Sequence, residues 1–567
     1  MFRIMLRAAA LSAALLLVSS PVTAWACGGL FCNNAQPVNQ AAERILFVVD
    51  EGVTHMHVQI RYQGPPADFG WLLPAPPGVE VELSSERLFA LLDQNHAPIF
   101  TTRTERHGCE DLRAENADSS AFDEAGAAGA GGAGGEEPGG VQVISREAVG
   151  PYDRVILQAE SVEELRAWLD ENEFQIPQAT DEKLQPYLDM GTWFVAIKLL
   201  EGNDAGDIVP LRLRFDGDRP AIPIIPTAVA AEPDMGVIVH LLGESRAVPS
   251  NYLHVTINDA ALDWFGGGAN YADVVSQAAD EAGGRAFATD YAGPLNENVP
   301  LLLEPIPAMI VSAFEEMTRG EEIFSVNLSW SDPDLSRVLR GAFMLPENID
   351  EEEFYSCLGC FPLDEIPFDG AMVAERIRVE VNPVRELLQD QLARFSYLTR
   401  LYSTLSAAEM IEDPIFSFNP DLPEVAQTRT AVNHIYCDGR QDHLELPDGR
   451  RIALDAPLIA RQQGETVRGM GVSGASRVEA LPEAGQAELI EAPEDLAEQP
   501  GVLPPEVVAD LEMPVSPSRG GGAGGAEVGN DEGCSGFSSS GAPLLLLLSL
   551  FGASSPRRRL WRGRARG

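Results

Sequence analysis

The sequence predicts an α+β protein: a mixed-sheet body of about 420 residues, built as one or two subdomains. A signal peptide precedes it, and a disordered stalk with a short apolar tail follows. Three observations predict this class. Residues 43–62 alternate apolar and polar side chains about a turn at Asp50-Glu51-Gly52, the pattern of a β-hairpin. Strand-like runs then interleave with segments of helical period, as in Arg154–Gln158 followed by 161–169. No period of 20–50 residues recurs, which argues against a solenoid or propeller.

The elements follow in chain order. Gly70-Trp71-Leu72-Leu73-Pro74-Ala75 reads as a buried strand broken by prolines, with a helix over 86–94 behind it. Residues 114–140 lack apolar periodicity and read as a disordered insertion. Ser161 and Glu164 form a capping box ahead of the stripe Val162, Leu165, Trp168 and Leu169. Strands are expected at 192–200, 211–215, 237–242, 252–257 and 376–381, and helices at 271–282, 307–318 and 383–395. Residues 474–533 are rich in Pro, Glu and Ala and read as a stalk without a core. Trp71, Trp168, Trp193 and Trp264 are expected in the core. The resulting division is a signal peptide at 1–26, a first α+β domain at 27–300, a second α+β region at 301–473, the stalk at 474–533 and an anchoring tail at 534–567.

The chain has 567 residues, 86 acidic against 40 basic, for a net charge of −46. Such a surface repels phosphate backbones, so nucleic acid is excluded as a partner. At the N-terminus, Arg3 and Arg7 precede an apolar run, and Ala24-Trp25-Ala26 supplies a small-residue cleavage site before Cys27. This is the layout of a secretory signal peptide cut between Ala26 and Cys27. Lipidation of Cys27 is disfavoured because Ala24 stands where bacterial lipoproteins place a Leu-like residue.

At the other end, Cys534 precedes a small polar spacer, an apolar run over 542–553, and Arg557-Arg558-Arg559. The run is short for a permanent span. The pattern resembles the MYXO-CTERM sorting tail of myxobacterial surface proteins. That resemblance implies cleavage near Cys534, lipid attachment there and display at the cell surface or outer membrane. The partners expected are therefore the membrane, reached through the tail, and the export and sorting machinery; a protein or glycan partner is not specified by any motif.

Ala26-Cys27-Gly28-Gly29-Leu30-Phe31-Cys32, Asp68-Phe69-Gly70-Trp71-Leu72-Leu73-Pro74, the 150–200 block and Thr227–Gly236 together resemble the bacterial domain of unknown function 2330 family. The resemblance runs from about residue 26 to 300. It implies an exported or envelope-associated bacterial protein and carries over no catalytic residue.

Candidate chemistry is sparse. Apart from Cys534, six cysteines remain (Cys27, Cys32, Cys109, Cys357, Cys360 and Cys437), an even number that suits disulfides in an exported chain. Cys27–Cys32 and Cys357–Cys360 are the natural local pairs, which leaves Cys109 with Cys437, although six cysteines allow 15 connectivities. His55 and His57 are spaced to share one strand face and would hold a metal if His107 or an acid converged on them. Against that stands their reading as polar positions on a solvated face. No cofactor is expected. Asp216-Gly217-Asp218 and Glu201-Gly202-Asn203-Asp204 resemble fragments of calcium loops, so weak structural calcium is the most that they suggest. The functional expectation is a structural or binding component of the cell envelope. The alternative is a secreted hydrolase whose site is assembled from residues distant in sequence, a choice decided by whether a pocket with converging polar side chains exists.

Overall fold

A computed structural model describes residues 39–63, 69–108, 141–174, 180–200, 208–229, 231–329, 332–346, 349–454, 472–493 and 496–512. The expected signal peptide at 1–26, Cys27, Cys32, Cys109, the expected insertion at 114–140, Glu201–Asp204, Cys534 and the expected tail at 534–567 lie outside them.

The hairpin at the start of the body forms as its alternation requires. β1 (Asn39–Asp50) and β2 (Val53–Gln63) pair antiparallel, and the turn places both Glu51 and Gly52 at positive φ, the geometry that matches strand twist. They lie within a ten-stranded sheet. Its order is β20 (Glu488–Glu491), β19 (Ala475–Ala480), β12 (Leu253–Ile257), β13 (Ala286–Pro294), β14 (Tyr397–Leu405), β10 (Ala231–Gly243), β1, β2, β9 (Leu211–Asp216) and β4 (Glu80–Leu83). The β1–β10 and β12–β13 pairs are parallel and the other pairs antiparallel.

Both faces of this sheet are covered, which is why β1 reads as the continuous apolar run Ile45–Val49. Ile45 and Phe47 point to one side. There they meet Trp71, Leu73, Ile156 and Val195 from a second, antiparallel sheet. That sheet runs β3 (Gly70–Ala75), β8 (Trp193–Leu199), β7 (Tyr152–Ala159) and β6 (Val141–Val149). β3 continues through Pro74 rather than breaking there, because it is an edge strand, where a missing N–H is tolerated. On its outer face Leu157 and Phe194 pack on α2 (Val162–Glu171) and α3 (Asp181–Asp189). Ser161 caps α2 through the Glu164 N–H, as the sequence predicts. On the other side of the ten-stranded sheet, Leu46 and Val48 meet Leu88, Leu92, Leu388 and Leu392 of α1 (Glu86–His96) and α10 (Asn382–Arg394). The layering is helix, sheet, sheet, helix, an α+β architecture.

A third sheet of β5 (Ile99–His107), β16 (Thr428–Tyr436), β17 (His443–Glu445) and β18 (Arg451–Ala453) packs one face, with Phe100, Ala431, Leu444 and Ile452, on α4 (Tyr271–Glu281). Residues 306–381 form a helical cluster. It contains α6 (Ala308–Glu316), α7 (Pro333–Leu339), α8 (Glu351–Ser356) and α9 (Gly370–Arg376) about Phe314, Phe343 and Phe354. A short α5 (Asn298–Leu302) leads into it.

Two expectations need correction. The strand at 376–381 is helical, with Ile377–Val381 a π-turn joining α9 to α10. Ile377 and Val381, four apart, are buried while Val379 is 58% exposed, a helical stripe disguised by β-branched residues. The segment beginning at 474 is not a coreless stalk. β19 joins the sheet through β12, with Ala475 and Val478 buried, and α11 (Pro505–Glu512) follows. One strand from the 301–473 region, β14, lies between β13 and β10 in the ten-stranded sheet. No described helix is long and apolar enough to cross a membrane.

Candidate functional site

His55 and His57 do share one face of β2, but it is the face beneath α10, not a solvated one. His57 is fully buried. Its Nδ1 lies 2.7 Å from Ser84 Oγ and its Nε2 3.2 Å from Gln391 Oε1 of α10, so both ring nitrogens are engaged. His55 Nδ1 lies 2.7 Å from the Arg212 guanidinium. Burial, then Arg212, lowers His55 to about 4 and His57 to about 3. An imidazole with both nitrogens bonded, beside one facing a fixed cation, makes a poor ligand pair. His107 stands on β5 in the third sheet, opposite strand β16. Asp216 and Asp218 are exposed.

Polar groups converge elsewhere, in a cleft of about 310 Å³ between β12, β13, β19 and the chain at 422–425. Arg246 is 6% exposed. One guanidinium nitrogen donates to the Pro423 carbonyl (3.1 Å), another to Thr289 Oγ1 (3.0 Å), and Nε is buried without a partner among the described residues. Arg429 and Arg477 also line the cleft. Arg477 is paired with Glu479 at 2.7 Å.

Behind the arginines lies a relay. Glu479 Oε2 is 3.3 Å from His254 Nδ1, and His254 Nε2 is 3.0 Å from Thr289 Oγ1. The pairing of His254 with Glu479 follows from the β12–β19 register, which sets them directly opposite. Burial lowers His254 despite the adjacent carboxylate, and the hydrogen bond from His254 lowers Glu479. The imidazole is therefore neutral near pH 7, with Nδ1–H donating to Glu479 and Nε2 accepting from the Thr289 hydroxyl. Thr289 Oγ1 in turn accepts from Arg246.

The model of the uncharacterized proteins conserved in bacteria, DUF2330, matches residues 21–300. Over that stretch the chain belongs to the DUF2330 family. No curated protein and no solved structure matches the chain.

The DUF2330 region supplies Arg246, His254 and Thr289 to the cleft, and the chain beyond it supplies Arg429, Arg477 and Glu479. The cleft thus lies where the family region meets the strands that complete its sheet. No sequence motif marks it, because its polar residues come from six separate strands or loops. The one available signal is a histidine at an inward position of the 252–257 alternation.

Of the cysteines, Cys357 and Cys360 are bonded to each other, as expected for the local pair. Cys437 is also disulfide-bonded, to a partner outside the described residues.

Proposed function

We propose that the protein is an exported binding component of the bacterial envelope, held at its C-terminus, whose cleft takes a small organic anion. The signal-peptide layout and the tail ending in Arg557-Arg558-Arg559 support the location. One observation carries the binding function: three arginines converge on a single cleft in a chain where acids outnumber bases 86 to 40. Guanidinium groups suit carboxylate or phosphate heads. The apolar part of the lining, including Val255 and Leu422, would hold a hydrocarbon body.

A thermal-shift panel of small carboxylates and phosphate tests this. At least one anion should raise the melting temperature of the full chain, and Arg477→Gln should reduce the shift at the same anion concentration. An unresponsive wild-type chain would refute the reading.

The relay favours a second reading as a hydrolase. The Thr289 hydroxyl would attack an ester carbonyl and pass its proton to His254 Nε2, with Glu479 holding the ring; the ester C–O bond breaks, the departing alcohol takes that proton, and water then releases the acid from Thr289. This reading requires ester turnover that Thr289→Val removes. Turnover that survives the substitution rules it out.

A further inference from the structure

Three of the eight histidines, none of which lines the cleft, gather on one face of the third sheet. The pairing explains why. β5 and β16 run parallel with Glu105 opposite His434 and His107 opposite Tyr436, and β17 sets His443 opposite His434. Paired residues share a face, so these side chains stand together while Phe100, Ala431 and Leu444 fill the core on the reverse. The rings stack: His107 on His434 (5.2 Å between centroids, 19°), His107 on Tyr436 (4.7 Å, 21°) and His434 on His443 (4.8 Å, 23°). Stacking holds the imidazoles upright before any ligand arrives.

From this geometry we propose that Glu105, His107 and His434 form a binding site for a divalent first-row transition ion such as zinc. Each offers one ligand atom, and these atoms lie within 4.8 Å of one another. His107 Nε2 and His434 Nδ1 face each other at 2.9 Å. Two nitrogens on a tetrahedral zinc at 2.0–2.1 Å are about 3.3 Å apart, so the pair opens by only a few tenths of an ångström to admit an ion in place of the shared proton. Glu105 is divided between two tasks. Its Oε1 takes Arg103 at 2.6 Å, while Oε2 faces His434 Nδ1 at 3.8 Å.

The outer shell fits as well. Among the described residues His434 Nε2 is buried without a hydrogen-bond partner, and it points toward Glu445 Oε2 at 3.6 Å. A carboxylate behind the far nitrogen is the usual way that a ligating histidine is oriented and made more basic. Glu445 is itself held by Arg451 Nε at 2.8 Å, which commits it to that supporting place. Two imidazoles and a carboxylate suit a borderline ion rather than calcium or magnesium, and three protein ligands leave the fourth position to solvent. His434, His443 and Glu445 are also mutually close. That alternative is weaker because Arg451 occupies Glu445 and the Gln441 carbonyl takes His443 Nδ1 at 3.2 Å.

The test is isothermal titration of zinc chloride into the metal-stripped full chain, with cobalt(II) absorption reporting coordination geometry. One saturable equivalent with a tetrahedral cobalt spectrum is expected. Glu105→Gln and His107→Gln should each weaken zinc by at least about tenfold, while His443→Gln and His55→Gln leave it unchanged. Both altered ligands are half-buried on the outer sheet face, and an unchanged melting temperature of the metal-free chain shows that each variant folds. Absence of saturable binding in the wild type overturns the proposal. So does full-strength binding in His107→Gln, or loss in His443→Gln but not in Glu105→Gln.

Discussion

Asp334 joins three parts of the molecule through one carboxylate, so truncating it should uncouple them. It lies in α7, 4% exposed. Oδ1 accepts from the Glu86 and Arg87 amides (3.0 and 3.3 Å), N–H groups of the first turn of α1, which a helix itself cannot satisfy. Oδ2 accepts from Ser85 Oγ (2.7 Å) and from Arg385 Nη2 (3.1 Å), which also donates to Asp332 at 2.7 Å. Asp334→Ala leaves two amides and a hydroxyl without this acceptor, and Arg385 with a single carboxylate. Breaking a buried pair costs about 3–5 kcal/mol, and stranded buried donors cost roughly 1–3 kcal/mol each. Because Arg385 keeps Asp332, the expected loss is about 3 kcal/mol. Asp334→Asn, which keeps an acceptor for the α1 amides, should lose about half of that. Hydrogen exchange read by mass spectrometry is the assay. In Asp334→Ala, peptides covering 86–96 and 306–346 should lose protection by about two orders of magnitude, while those of β7 and β8 remain unchanged. Protection within a factor of two of wild type in α1 would show that the carboxylate does not tie these elements together.

Asp413 accepts from the Tyr187 hydroxyl and the Ile225 amide, and burial pushes its carboxyl up to about 6. The native state therefore holds a proton that the unfolded chain releases near pH 4, so this group's contribution to stability falls as pH rises from 4 to 6. Asp413→Asn should remove about 2 kcal/mol of that fall, read as a smaller drop in melting temperature between pH 4 and 7 than in wild type; an unaltered difference counts against the assignment. Gly268 has φ +80°, and a Cβ there would lie 2.3 Å from Phe100 Cδ2 beneath the third sheet. Gly268→Ala should cost about 2–4 kcal/mol from backbone strain and overpacking together, measured by denaturant unfolding; a loss below 1 kcal/mol would contradict it.

Local chemistry made much of the fold legible. The Ser161 cap, the hairpin turn at Glu51-Gly52 and the α4 helix are set by residues within a few positions of one another, and the sequence states them directly. The misread segments are those whose state depends on distant partners. Ile377–Val381 alternates like a strand, and only the helices on either side and the phenylalanine core decide its conformation. Ala475–Ala480 is too polar to announce a strand, and becomes one because β12 offers it an edge. The same limit governs the sites. His55 and His57 were visible as a pair, but Ser84, Arg212 and Gln391, which occupy them, were not. The cleft and the third-sheet histidines are assembled across separations of 225 and 327 residues, where spacing carries no information.

The most direct test of the anion-binding cleft is isothermal titration of the full chain with succinate and with inorganic phosphate at low salt, beside Arg477→Gln and Arg429→Gln. Saturable binding of at least one of the two probes at a single site is expected, weakened at least about tenfold in each variant, as when one charge-assisted hydrogen bond is lost. Binding that is absent in the wild type, or identical in all three proteins, would contradict it.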